Sequence, residues 1–170
     1  DARQARASSG DRSARGAGGV SGRVRAAAAA LILAGLSPPA AADPVEGLLA
    51  EAAALCTGYE SGVFEAGDAV HAVDLDGDGA PDRLVDESAF ACSSAASMYC
   101  GSGGCSLHAV VGDTVSTFQA EGWRVIDWDG RPILLVARDG GWCGGAGAQL
   151  CFEAVVWSHG EMLTVMSAPR

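Results

Sequence analysis

Four aspartates recur at close spacing in Asp74-Leu75-Asp76-Gly77-Asp78-Gly79-Ala80-Pro81-Asp82. Counted from Asp74, the carboxylates occupy positions 1, 3, 5 and 9. Spacing of two lets one short loop turn its carboxylates toward a common point, and a glycine at position 6 permits the sharp bend. Hard oxygen donors in that order suit calcium, which takes six to eight of them. Asp74, Asp76, Asp78 and Asp82 are therefore candidate ligands, with the main-chain carbonyl of Ala80 beside them and water completing the shell. The competing reading is a solvated acidic turn, because Asp and Gly both favour turns. Four carboxylates within nine residues repel one another unless screened, which favours the cation. Asp86 and Glu87 follow, either joining the shell or facing solvent.

The segment resembles the D-x-D-x-D-G-x-x-D calcium loops of FG-GAP/VCBS-type repeats, and more loosely those of dockerins and EF-hands. The apolar stretch Ala69–Val73 before it and Arg83-Leu84-Val85 after it match that setting, so the resemblance covers roughly residues 69–86. It implies that the four aspartates bind calcium. It departs from the EF-hand at position 12, where Val85 stands in place of a bidentate Glu. It departs from FG-GAP proteins in having a single copy, so the propeller fold is not carried over. No full-length family is recognised.

Six cysteines lie between positions 56 and 151: Cys56, Cys92, Cys100, Cys105, Cys143 and Cys151. An even number in an oxidising compartment predicts a disulfide framework. Fifteen pairings are possible, and sequence does not choose among them. Local closure favours Cys100–Cys105 and Cys143–Cys151 across glycine-rich loops, leaving Cys56–Cys92. A metal site on Cys100, Cys105 and His108 competes, but its spacing is not that of a zinc knuckle. No C-x-x-C redox pair exists.

Catalytic constellations are weaker. His71 reads as a sheet histidine, His108 as solvent-facing and His159 as a turn residue. No H-E-x-x-H or G-x-S-x-G occurs. Ser93, Ser94 and Ser97 read as spacers. Asp127 and Asp129 flank Trp128 and share a face on a strand, a conceivable carboxylate pair, but a hairpin end explains them equally. Trp123, Trp128, Trp142 and Trp157 read first as core residues, with Trp142 the candidate for an exposed anchor. The chain is accordingly expected to carry no catalytic centre.

The 170 residues carry a net charge of −10 and contain neither Lys nor Asn. An acidic balance excludes ordinary nucleic-acid binding. Residues 1–42 hold six Arg and two Asp, whereas residues 43–170 hold five Arg against nineteen acids, a charge of −14. Arg23 and Arg25, the apolar run Ala26–Leu36 and Ala40-Ala41-Ala42 have the layout of a secretory signal peptide. Residues 20–42 are assigned to it, with cleavage before Asp43. Residues 1–19 read as a non-native or disordered extension.

Residues 43–170 then form a single exported domain. Asp43-Pro44-Val45-Glu46 starts a helix. Val45, Leu48, Leu49, Ala52 and Leu55 line one face of it, and Gly58 ends it in the left-handed conformation. Strands are predicted near 69–73, 83–86, 107–111, 114–118, 123–128, 132–137, 150–157 and 162–165. Hairpin turns fall at Gly112-Asp113, Asp129-Gly130 and Ser158-His159-Gly160. The fold class is α+β, mainly antiparallel β: one amphipathic N-terminal helix on a twisted sheet of hairpins, stapled by disulfides. Function reads as a periplasmic or secreted, calcium-stabilised, non-catalytic module of the bacterial envelope. It would be monomeric, with a protein partner of basic charge such as a basic wall hydrolase, and with no nucleic acid or membrane once the leader is removed. The alternatives are a small secreted hydrolase with structural calcium and a calcium-dependent adhesion or assembly module.

Overall fold

The computed structural model describes residues 42–165. The extension and all of the assigned leader except Ala42 lie outside the described residues. Among the described residues one α-helix, α1 (Pro44–Gly58), precedes eleven strands: β1 (Phe64–Glu65), β2 (Val70–Val73), β3 (Asp82–Asp86), β4 (Ala91–Cys92), β5 (Cys100–Gly101), β6 (Gly104–Val111), β7 (Thr114–Ala120), β8 (Gly122–Trp128), β9 (Arg131–Arg138), β10 (Cys151–Ser158) and β11 (Glu161–Thr164). Every strand pair is antiparallel. One sheet runs β2-β3-β6-β5, with β7 also on β6; a second runs β11-β10-β9-β8; β1 and β4 form a short ribbon.

Alternation along the strands builds two apolar layers. On β3, Leu84 faces the second sheet and Val85 faces the helix; on β6, Ala109 and Val111 divide from Val110 in the same way. Leu75, Leu84, Leu107, Leu134, Val136 and Val155 fill the space between sheets. Val45 and Ala52 of α1 pack with Ala69, Val85, Phe90 and Val110 on the other side. Phe64, Phe90 and Tyr99 meet edge-to-face there, with centroids 5.1 to 5.8 Å apart.

Asp43 caps α1 by accepting from the Val45 amide, and Pro44 opens the helix. Two expectations for this helix are corrected. Gly58 stays helical, Tyr59 caps in an extended conformation, and the left-handed turn falls on Glu60 and Ser61. The Cys56–Cys92 disulfide fixes the last turn there, so the chain bends two residues later. Leu55 is 56% exposed and not part of the packed face.

Arg83 pairs with Asp43, tying β3 to the helix start. That hydrogen bond, followed by the Val45 amide, holds the Asp43 carboxyl below its ordinary 3.8. A depressed carboxyl contributes stability that is present above its unfolded value and lost as pH falls through the folded one. Arg83→Met is therefore expected to raise the Asp43 pKa, read by carboxyl NMR, and to remove this group's share of the acid-induced loss of stability below pH 3.8.

The hairpin turns lie where the sequence puts them. Asp129-Gly130 and His159-Gly160 each have two positive φ angles, the requirement of a type I′ turn, with Trp128 opposite Arg131 and Ser158 opposite Glu161. Gly104 has a stricter role. Its φ is +98°, and a Cβ would stand 2.1 Å from the Ala120 carbonyl oxygen. Gly104→Ala is expected to destabilise by about 2–4 kcal/mol, combining backbone strain and steric clash; denaturant unfolding measures it.

Candidate metal centre

β2 and β3 hold the acidic loop at its root, where Val73 lies opposite Asp82. Leu75 is 2% exposed and belongs to the core between the sheets. This apolar anchor pulls the loop down while the flanking aspartates stay near the surface. Gly77 and Gly79 have φ of +83° and +85°, which an L side chain resists. The bend is local and chemically specified: Asp74 accepts from the amides of Gly77 (2.6 Å) and Gly79 (3.0 Å), Asp76 from Asp78 (3.0 Å), and Asp78 from Ala80 (2.7 Å).

Asp74, Asp76 and Asp78 each offer a carboxylate oxygen within 4.8 Å of the other two. At that distance, each pair of charges repels by about 1 kcal/mol in water and about 3–4 kcal/mol at a protein-surface dielectric. The amides offset part of this. A divalent cation offsets it more directly, and an all-oxygen donor set fits a hard cation. The chemistry of the three donors therefore suits a hard divalent cation, calcium and magnesium alike.

Asp82 stands apart from this trio. Its Oδ2 accepts the Leu75 amide at 3.0 Å, closing the loop across its base. Burial, aided by the Asp76 and Asp78 charges, raises the Asp82 pKa, and the Leu75 amide opposes the shift. Ala80 enters through its amide, as a donor to Asp78.

The six cysteines form Cys56–Cys92, Cys100–Cys105 and Cys143–Cys151, the set that local closure favours. No free cysteine occurs among the described residues. The thiolate site on Cys100, Cys105 and His108 is thereby removed.

His108 is buried, correcting its expected solvent-facing role. Its Nδ1 lies 2.9 Å from the Thr117 hydroxyl and its Nε2 lies 3.0 Å from the Glu87 carboxylate. Thr117 is directly opposite on β7, so cross-strand pairing creates half of this network. His71 is a sheet residue on β2, edge-on to Trp123 at 5.0 Å. Asp127 accepts from Gly130 across the hairpin turn, a structural role at that end. Trp123 and Trp157 pack on the core, but Trp128 is 69% exposed. Trp142 is exposed too and lies against the Arg138 guanidinium, 4.5 Å from its ring centre.

Two charged groups that sequence reasoning missed are among the most buried. Arg138 and Glu153 form an ion pair inside the sheet sandwich. The available signal was their place on strands 131–138 and 151–158 at positions in phase with buried Val136 and Val155.

No family model, curated protein or solved structure matches the chain. The three disulfides fit an oxidising compartment, periplasmic or extracellular. Among the described residues, no helix is long and apolar enough to cross a membrane.

Proposed function

We propose that this chain is an exported, non-catalytic module of the bacterial envelope, held by three disulfides and clipped by one calcium ion. The observation that carries the reading is the convergence of Asp74, Asp76 and Asp78 at the mouth of a loop whose Leu75 is anchored in the core. A cation bound there would tie the β2–β3 connection to the surface. Gly77 lies close to the β8–β9 hairpin, where a Cβ would meet Pro132 at 3.3 Å, so the same clip would steady both sheets. Ala80 and Asp82 are proposed as further ligands, the first through its carbonyl and the second through its remaining oxygen or water. The charge of −14 over residues 43–170 would steer a basic protein partner such as a cationic wall hydrolase.

Exported single-loop sites bind calcium at about 0.1–1 mM. At 1 mM calcium and the tighter limit, the gain is about 1.4 kcal/mol, or about 4–7 °C in the melting temperature of a domain this size. The test is thermal melting of the disulfide-intact protein with calcium, with magnesium and with chelator. Asp76→Asn combined with Asp78→Asn is expected to abolish the calcium shift. The same change should raise the melting point in chelator, because it removes mutual repulsion. A calcium shift that survives the double change, or no shift in the parent, rejects the clip.

One observation favours a second reading, a small secreted hydrolase with structural calcium. Glu87, His108 and Thr117 are connected in series, an acid–base–hydroxyl order. Hydrolysis of a p-nitrophenyl ester that disappears in Thr117→Ala and His108→Gln, with unchanged melting of Thr117→Ala, would favour it.

A further inference from the structure

The second sheet packs one face into the core and leaves most of the other half-buried or exposed, Ala137 apart. Leu134, Val136 and Val155 point into the core, with Trp123, Val125, Trp157 and Met162 packed beside them. Strand alternation puts Ile126, Trp128, Ile133, Leu135, Phe152 and Leu163 on the opposite face. None of these six belongs to either core cluster. Trp128 and Phe152 are 69% and 62% exposed. Strands of seven, eight, eight and four residues, at about 3.3 Å per residue and about 4.8 Å apart, give roughly 430 Å² on this face. Two such faces bury roughly 860 Å², the size of a weak, transient interface.

The charges on this face are unlike those of the chain as a whole. Of the four described arginines, Arg83 and Arg138 have ion-pair partners, whereas Arg124 and Arg131 have none among the described residues. Both exposed arginines lie on the apolar face, beside Leu135 and Trp128 respectively. Ser158 lies opposite Glu161, and the β9–β10 register continues to set Ser158 beside Arg131. One row across the sheet therefore reads Glu161, Ser158, Arg131, Trp128. A two-fold axis parallel to the strands lays that row over its own reverse. Arg131 of each copy then comes within one strand spacing of the other copy's Glu161, across a gap of about 10 Å between stacked sheets that the two long side chains can span together.

We infer that the outer face of β8–β11 is a self-association surface, on which two copies stack sheet to sheet as an isologous dimer. A basic partner is repelled here by Arg124 and Arg131, and an anionic bilayer is repelled by the net charge of the chain. A second copy supplies both the matching apolar area and the acid. The inference is independent of the calcium site.

Sedimentation equilibrium of the disulfide-intact protein, from about 10 µM to 1 mM, brackets the weak affinity that an interface of this size gives. A monomer–dimer equilibrium is expected. Phe152→Glu is expected to raise the dimer Kd at least about tenfold, with unchanged melting of the monomer because the side chain is exposed. Glu161→Arg and Arg131→Glu are each expected to weaken the dimer, and the two together to restore it. A monomer at every concentration overturns the inference, leaving a foreign partner as the occupant. A dimer indifferent to Phe152→Glu and to both charge changes overturns it equally.

Discussion

Glu153→Ala is expected to cost about 3–5 kcal/mol, because it leaves the Arg138 charge buried without its counter-ion. The Arg138 Nε donates to Glu153 Oε2 at 2.6 Å, Nη2 reaches the same oxygen, and Nη1 donates to the Gln119 carbonyl at 2.5 Å. Phe118 and Trp142 lie 5.6 and 4.5 Å from the guanidinium carbon. The guanidinium is thus held among two rings, a carboxylate and a carbonyl, and water cannot easily replace the carboxylate. For a domain of this size the loss corresponds to about 10–20 °C in melting temperature. The pair itself need not be a net source of stability. Arg138→Met with Glu153→Leu is expected to recover most of the loss, since a packed apolar pair avoids desolvation of two ions. Equilibrium unfolding in denaturant, with m unchanged, separates the outcomes. A cost below about 1 kcal/mol for Glu153→Ala would mean that the pair is solvated.

Removing Cys56–Cys92 is expected to cost about 3.8 kcal/mol, against about 2.2 kcal/mol for Cys100–Cys105, because loop-closure entropy grows with loop length. The sequence separations are 36 and 5. Cys56–Cys92 also joins the end of α1 to β4, so its loss frees the helix from the ribbon that anchors it. The paired Ala variants, Cys56→Ala with Cys92→Ala and Cys100→Ala with Cys105→Ala, test the order by denaturant unfolding. Reduction of all three bridges removes about 8–9 kcal/mol by the same model, comparable with the whole stability of a small domain. Reductant is therefore expected to unfold the protein or bring it near its midpoint at ordinary temperature.

The longer hairpins were legible because their signals are local. Asp129-Gly130 and His159-Gly160 supply the two positive φ angles that a tight turn needs, and alternating strands flank them. The helix start was legible in Asp43-Pro44 for the same reason. The two-residue strands β1, β4 and β5 were not: each exists only through its pairing or disulfide neighbour, and two residues carry no period. The turn after α1 shifted from Gly58 to Glu60 and Ser61 because the cystine at Cys56 constrains the helix end. At the acidic loop, type and spacing identified the trio of Asp74, Asp76 and Asp78, whereas the bond from Asp82 to the Leu75 amide depends on how the loop closes. His108 and the Arg138–Glu153 pair depend on which strand lies opposite which, information that register alone holds.

Calcium titration of the disulfide-intact protein, followed through the backbone amide resonances of Gly77 and Gly79, addresses the acidic loop directly, since both amides donate to Asp74. The account predicts a saturable shift of both, one ion per chain, with half-saturation at about 0.1–1 mM, absent after Asp76→Asn with Asp78→Asn. Unmoved glycine resonances at about 10 mM calcium, ten times the weaker limit, would contradict it.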